Sequence, residues 1–320
     1  MNAAVTLSAS TGLVQLPLEF PLASGLVLEG AMLGFEENGP PDAPAVVVLG
    51  GISAGRHVAG WWDAFVGPGR ALDTRELRVL GVDFLGGIGA SSGPESSGLG
   101  ASFPPVGADD QARAIACLLD HLGIGKLHAF VGSSYGGQVA LAFAANHGER
   151  LERAVVIAAA HATHPLARAW RHVQRGILDL GVAAGCEAEA VALARALAMT
   201  TYRTSEELLE RFGENGEALE GWLAARGREF AGRFDAASYR VLSQAIDLSR
   251  VEPERIEVPT TLVAFRGDRL VPLELVRELR RRLAGPAALH EIDSRYGHDG
   301  FLKEVAALSG ILRGALEVSP

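Results

Sequence analysis

Six short runs of aliphatic and β-branched residues punctuate the chain, at 45–49 (AVVVL), 77–82 (LRVLGV), 127–131 (LHAFV), 154–157 (AVVI), 260–265 (TTLVAF) and 288–292 (ALHEI). Runs this short and this apolar predict strands buried on both faces. Between them the apolar spacing lengthens to that of a helix. Ala112, Ile115, Ala116, Leu119 and Leu122 form one stripe, Val139, Leu141, Ala142 and Ala145 a second, and residues 271–283 a third helical stretch. Strands that alternate with helices predict an α/β fold on a mostly parallel sheet with helices on both faces.

The alternation stops after Ala160. From His161 to about Ser249 the chain is rich in Ala, Arg, Leu and Glu and holds helical patterns but no strand-like run, until Val258-Pro259 leads back into one. Residues 1–160 and 250–320 are therefore expected to form the sheet core, and 161–249 an all-helical insertion. Residues 86–100 (GGIGASSGPESSGLG) predict a long loop near strand ends, where loops of this length usually carry function.

Composition narrows the class. With 48% hydrophobic and 21% charged residues in 320, the chain can bury a full core and is not a disordered segment. Its 29 basic and 38 acidic residues leave a net charge of -9, the wrong sign for gripping a phosphate backbone, so nucleic acid is not an expected partner. Cys117 and Cys186 stand far apart with no CxxC spacing, which predicts neither a disulfide framework nor a cysteine metal site and fits a reducing cytoplasm. No run approaches the roughly 20 apolar residues of a membrane span, and no Lys or Arg precedes Arg56 to charge the front of a secretory signal. A soluble cytoplasmic protein, with no membrane partner, is expected.

The pattern G-x-S-x-G occurs three times, at 51–55, 89–93 and 132–136. As a nucleophile elbow it needs a sharp strand-to-helix turn that lifts the serine hydroxyl off the sheet, with a helix N-terminus behind it. Only Ser134 has a strand before it (LHAFVG) and a helical run of small residues after it (GQVALAF). Ser53 runs into Arg56-His57-Val58-Ala59-Gly60-Trp61-Trp62 without helical period, and Ser91 lies in a loop closed by Pro94. Both read as turn residues.

A serine hydroxyl is a weak nucleophile that needs a base, and the base needs an orienting carboxylate. His298, in YGHDGF, follows the last predicted strand, and Asp268, in RGDR, follows the strand before it. The chain order Ser134, Asp268, His298 is the nucleophile, acid, base order of an α/β hydrolase. His161 and His164 stand three apart, as two metal ligands on a helix do, but no third ligand is near and no metal is expected. The expected oxyanion donors are the backbone N–H of Tyr135, directly after the nucleophile, and that of Ile52 in the Gly50-Gly51-Ile52 loop.

Trp61-Trp62, residues 66–74 (VGPGRALDT), Leu85-Gly86-Gly87, Ser92-Gly93-Pro94, Phe103-Pro104, Ser134-Tyr135-Gly136-Gly137, Gln174-Arg175 and residues 296–302 (YGHDGFL) carry a resemblance that runs over nearly the whole chain. Together they are similar to the homoserine O-acetyltransferase (homoserine O-acyltransferase) family of the α/β hydrolases. The resemblance implies a helical lid over the core and a homodimer formed through the lids. It also implies ping-pong acyl transfer from acetyl-CoA or succinyl-CoA to the hydroxyl of L-homoserine in methionine biosynthesis, acyl-CoA being a substrate and no cofactor being needed. The chain departs from the family in three places. The oxyanion loop, often His-Ala-Leu-Thr-Gly, reads Gly50-Gly51-Ile52-Ser53-Ala54; a segment before Trp61-Trp62 is absent; and Tyr135 replaces the Met or Leu after the nucleophile.

The acceptor is a zwitterion, so its pocket needs a cation and an anion. By the same resemblance Arg175 is expected at the carboxylate and Asp299 at the ammonium. Family members that resemble succinyl-CoA users place an arginine two residues after the catalytic aspartate; that position here is Leu270, which leaves a succinyl carboxylate unpartnered. Acetyl-CoA is the expected donor unless Arg269 turns into the site. Succinyl transfer, acyl transfer to L-serine or a deacetylcephalosporin-type acceptor, and ester or thioester hydrolysis remain open on the same triad.

Overall fold

A strand apolar on both faces belongs in the middle of a covered sheet, and all six predicted runs enter one sheet in the structure, a computed structural model that describes residues 9–317. The strands are β1 (Ser10–Gln15), β2 (Glu19–Pro21), β3 (Val27–Glu29), β4 (Met32–Asn38), β5 (Ala45–Leu49), β6 (Arg78–Val82), β7 (Ala129–Ser133), β8 (Ala154–Ile157), β9 (Thr260–Arg266) and β10 (Ala287–Asp293). Eight of them form the main sheet in the order β1-β4-β6-β5-β7-β8-β9-β10, while β2 and β3 pair apart from it. From β6 to β10 every pairing is parallel, and β4 pairs antiparallel with both β1 and β6. The fold is an α/β hydrolase fold with a mixed, mostly parallel eight-stranded sheet.

Side-chain alternation along β5 splits the core in two. Val46 and Val48 join Trp62, Phe65, Leu308 and Leu312 on one side; Val47 and Leu49 join Ile115, Leu119 and Val139 on the other. Helices α1 (Val58–Trp61), α2 (Ala108–His121) and α3 (Tyr135–Asn146) precede β8. Between β8 and β9 come five helices and no strand: α4 (Pro165–Ala184), α5 (Glu187–Tyr202), α6 (Ser205–Phe212), α7 (Gly216–Ala231) and α8 (Ala236–Leu248). Then follow α9 (Leu273–Arg282), α10 (Gly300–Lys303) and α11 (Val305–Leu316). No described helix is long and apolar enough to cross a membrane.

Local chemistry marks the ends of the inserted helices. Pro165 opens α4, where its missing N–H costs nothing, and Gly185 closes it at φ 70, a backbone region that favours glycine. Thr204, Asn215 and Asp235 cap the starts of α6, α7 and α8, each through a side-chain oxygen that accepts a backbone N–H. Along α4 the buried residues are Ala167, Arg171, Gln174, Leu178 and Gly181, one continuous stripe at helical spacing. Leu166, Val173 and Leu180 lie exposed on another face of the same helix, seven residues apart.

The strands before β5 have no counterpart among the apolar runs. β1 buries only Val14, and β4 carries Glu36 and Glu37 among its apolar residues. Glu36 is nevertheless buried, because His57 Nδ1 lies 2.5 Å from its Oε2 and Asn38 Nδ2 donates to its Oε1. The observed β7 runs two residues past the predicted one, since Gly132 and Ser133 complete pairings with Leu49 and Ile157.

Candidate active site

In a doubly wound sheet, ligands gather at the carboxyl ends of strands where the winding reverses. Here β5 lies between β6 and β7, and the chain steps from β6 across β5 to β7. The loops after β5 and β7 therefore face one crevice. Ser134 stands between the end of β7 and the start of α3 at φ 53, ψ -120, a conformation an L side chain holds only when its surroundings enforce it. Ser134 N–H donates to Ile157 O and Gly136 N–H to Gly50 O, both at 2.9 Å, which ties the turn to the ends of β8 and β5. The neighbouring glycines are required by space: a Cβ on Gly136 would sit 2.5 Å from Leu49 O, and one on Gly137 2.5 Å from Ala159 Cβ.

Three sequence-predicted residues come together at this turn. The Ser134 hydroxyl lies 2.8 Å from His298 Nε2, and His298 Nδ1 lies 2.7 Å from Asp268 Oδ2. The other oxygen, Asp268 Oδ1, accepts the N–H of Leu270 at 2.8 Å and of Val271 at 3.0 Å, so the carboxylate cannot rotate freely. A carboxylate at Nδ1 selects the tautomer with the proton there and leaves the Nε2 lone pair facing the serine. Asp268 and His298 are each only 5% exposed.

Burial pulls the His298 imidazole toward its neutral form, but the charge of Asp268, its hydrogen bond and the nearby charge of Asp299 outweigh that pull and raise the group above its ordinary 6.5, with Arg171 opposing. A base must be neutral to take a proton, so the rate of any step in which His298 accepts the Ser134 proton should rise with pH along a titration whose midpoint lies above 6.5. Asp299→Asn removes a raising charge and should move that midpoint toward acid in a pH–rate profile; an alkaline movement would contradict the arrangement.

The serine opens onto a cavity of ≈ 120 Å³ between the strand ends and the inserted helices. Ile52 and Tyr135 line it, and neither backbone N–H is spent on a protein acceptor among the described residues. Both stay available to a developing oxyanion. Ser53 also lines the cavity, whereas Ser91 is buried elsewhere, its Oγ donating to Asp83 O and accepting Gly34 N–H. Among the described residues no group of three His, Cys, Asp or Glu is placed to hold a metal ion.

The other predicted residues divide. Leu270 and Asp299 line the cavity, and Asp299 Oδ2 lies 2.9 Å from Arg203 Nε. Arg269 is exposed, its guanidinium stacked 4.8 Å over the ring of Trp170, which does line the cavity. Arg175 lies outside the lining: its Nη1 is 2.8 Å from Asp247 Oδ2 and donates to Ser243 O and Oγ. Two other arginines, Arg171 and Arg195, line the cavity instead. Arg171 lies on the buried stripe of α4, a periodicity that singles it out over Arg175. Arg195 has no carboxylate partner among the described residues; it packs over Tyr202 (5.3 Å) and Phe230 (4.7 Å), and its Nη1 donates to Tyr202 Oη at 3.4 Å.

The family model for the alpha/beta hydrolase fold matches residues 44–305. Over 303 residues the chain is 42% identical to a homoserine O-succinyltransferase of Xanthomonas campestris pv. campestris, which covers 90% of this chain and 79% of that one. Over 272 residues it is 39% identical to a homoserine O-acetyltransferase of Thermus thermophilus, covering 79% and 71%. A crystal structure of homoserine O-acetyltransferase from Bacillus anthracis matches with TM-score 0.90 over 97% of this chain and 98% of that chain; at 18% identity it speaks for the fold alone. Strand-end serine, fold and family match together define an α/β hydrolase. Within that fold, the chain belongs to the homoserine O-acyltransferase family.

Proposed function

We propose that this protein moves an acyl group from acyl-CoA to the hydroxyl of L-homoserine, with Ser134 as the covalent carrier. The observation that carries the reading is the hydrogen-bonded series Ser134, His298, Asp268 at a cavity also lined by Asp299, Arg171 and Arg195, the last without a carboxylate partner among the described residues. Ser134 Oγ attacks the thioester carbonyl as His298 Nε2 takes its proton, and the N–H groups of Ile52 and Tyr135 hold the oxyanion. The carbon–sulfur bond breaks and the CoA thiolate leaves with the proton from His298. Homoserine then gives its hydroxyl proton to His298 as it attacks the acyl-enzyme, and Ser134 departs with that proton.

Transfer outruns hydrolysis only if water is kept from the acyl-enzyme, and α4 to α8 serve as the lid. A second groove that shares Arg195, Asp299 and Leu302 with the cavity is lined by Arg211, Trp222, Arg226, Arg233 and Lys303 beside Asp63 and Glu229, and its basic excess and aromatic face suit the phosphates and base of CoA. The exposed Leu166, Val173 and Leu180 on α4 support a homodimer through the lids.

Arg195, rather than Arg175, takes the acceptor carboxylate in this reading, and Asp299 the ammonium. Arg195→Ala should raise KM for homoserine by about tenfold to a hundredfold, the scale of one charged hydrogen bond, while Ser134 still acylates; Arg175→Ala should change it little. Steady-state kinetics with a separate acylation burst check this. The function itself is tested by crossing L-homoserine, L-serine and water as acceptors with acetyl-CoA and succinyl-CoA. Transfer to homoserine should exceed the other two, and turnover to water alone would make the protein a thioesterase.

A further inference from the structure

Buried charge beside the cavity does not balance. Asp247 lies between two arginines: its Oδ1 accepts Arg171 Nε at 2.9 Å and Nη2 at 2.7 Å, and its Oδ2 lies 2.8 Å from Arg175 Nη1. The three side chains are 4%, 10% and 16% exposed for Asp247, Arg171 and Arg175. One carboxylate offsets one guanidinium, so the trio keeps one positive charge largely out of water, a costly arrangement without a further anion. Arg171 is the member that lines the cavity, and its Nη1 has no acceptor among the described residues. Burial presses its guanidinium toward the neutral form. Its charge also opposes protonation of His298, the state the base passes through in every transfer. The acceptor leaves this charge unused, because Arg195 and Asp299 already match its two ends.

We propose that Arg171, backed by Asp247 and Arg175, receives the distal carboxylate of a dicarboxylic acyl thioester, so that the donor is of the succinyl class. The inference rests on the acyl-transfer reading above. A carboxylate at Arg171 completes the charge of the trio and relieves the opposition to the His298 imidazolium; an acetyl group does neither. The planar fork of a guanidinium suits a carboxylate, and holding two of its nitrogens on one Asp247 oxygen fixes its direction. Leu270, apolar at the loop after β9, then borders the chain of the acyl group while the cation arrives from α4 on the lid.

The test is the acylation half-reaction without acceptor, comparing succinyl-CoA, its monomethyl ester and acetyl-CoA on the unaltered protein and on Arg171→Gln. Glutamine keeps most of the stem, removes the charge and leaves Asp247 with Arg175 as a balanced pair. The unaltered protein should acylate at least tenfold faster, in the second-order rate constant for acyl-enzyme formation, with succinyl-CoA than with either neutral donor. In Arg171→Gln the advantage over the methyl ester should fall to near one. A preference for acetyl-CoA, or for the ester, in the unaltered protein overturns the proposal, and this arm decides alone if the variant does not fold. So does an Arg171→Gln protein that keeps its succinyl preference and instead loses affinity for homoserine, which would make Arg171 an acceptor residue. If no thioester acylates Ser134, the acyl-transfer reading itself fails, a result distinct from acylation with the wrong donor.

Discussion

Ser134→Ala should yield no acyl-enzyme and lower transfer by about 10,000-fold or more, because the variant keeps the backbone N–H groups of Ile52 and Tyr135 and the cavity but has no atom to carry the acyl group. Ser53→Ala and Ser91→Ala should stay within about tenfold of the unaltered protein. Ser53 borders the cavity with no base hydrogen-bonded to its hydroxyl among the described residues, and Ser91 spends its hydroxyl on Asp83 O and Gly34 N–H. Burst amplitude with acyl-CoA separates the three variants. Persistent transfer in Ser134→Ala would remove the serine from the reaction.

Asp268→Asn should cost about 1,000-fold to 10,000-fold in the acylation rate while the protein stays folded, and the reason lies in which end of the new amide faces which partner. The backbone N–H groups of Leu270 and Val271 both point at one oxygen of Asp268. They will hold the amide carbonyl there and turn the NH2 toward His298 Nδ1. That nitrogen must then accept, so the ring proton moves to Nε2 and points at Ser134, where a lone pair is needed. Single-turnover acylation with a circular-dichroism check on folding measures the loss, and a fall of less than tenfold would mean that Asp268 does not set the tautomer.

The parts of this molecule that a reader of the sequence can find are those whose signal is local. β5 and β8 are pure apolar runs because both faces of a central strand are covered, and the Ser134 elbow is legible because its glycines stand at fixed spacing between a strand-like run and a helical one. β1 hides because an edge strand buries little, and β4 because Glu36 finds its hydrogen-bond partner in His57, a residue far along the chain. The same limit separates the arginines. Arg175, one residue off the buried stripe of α4, is indistinguishable by type from Arg171, and only the fold brings Asp247 from α8 between them. Helical spacing from Ala167 to Leu178 carries enough signal to rank Arg171 first. That Arg195 meets no carboxylate among the described residues is a property of tertiary packing and leaves no mark in its Ala-rich neighbourhood.

The claim on which everything else stands is that Ser134 carries the acyl group between CoA and homoserine. Rapid quenching after mixing the protein with succinyl-CoA or acetyl-CoA, followed by peptide mass analysis, addresses it directly. The account predicts one acyl group per chain, on the peptide that holds Ser134, formed faster than steady-state turnover and discharged by L-homoserine much faster than by water. An acyl group on another residue, no adduct during active transfer, or an adduct that homoserine does not discharge would contradict it.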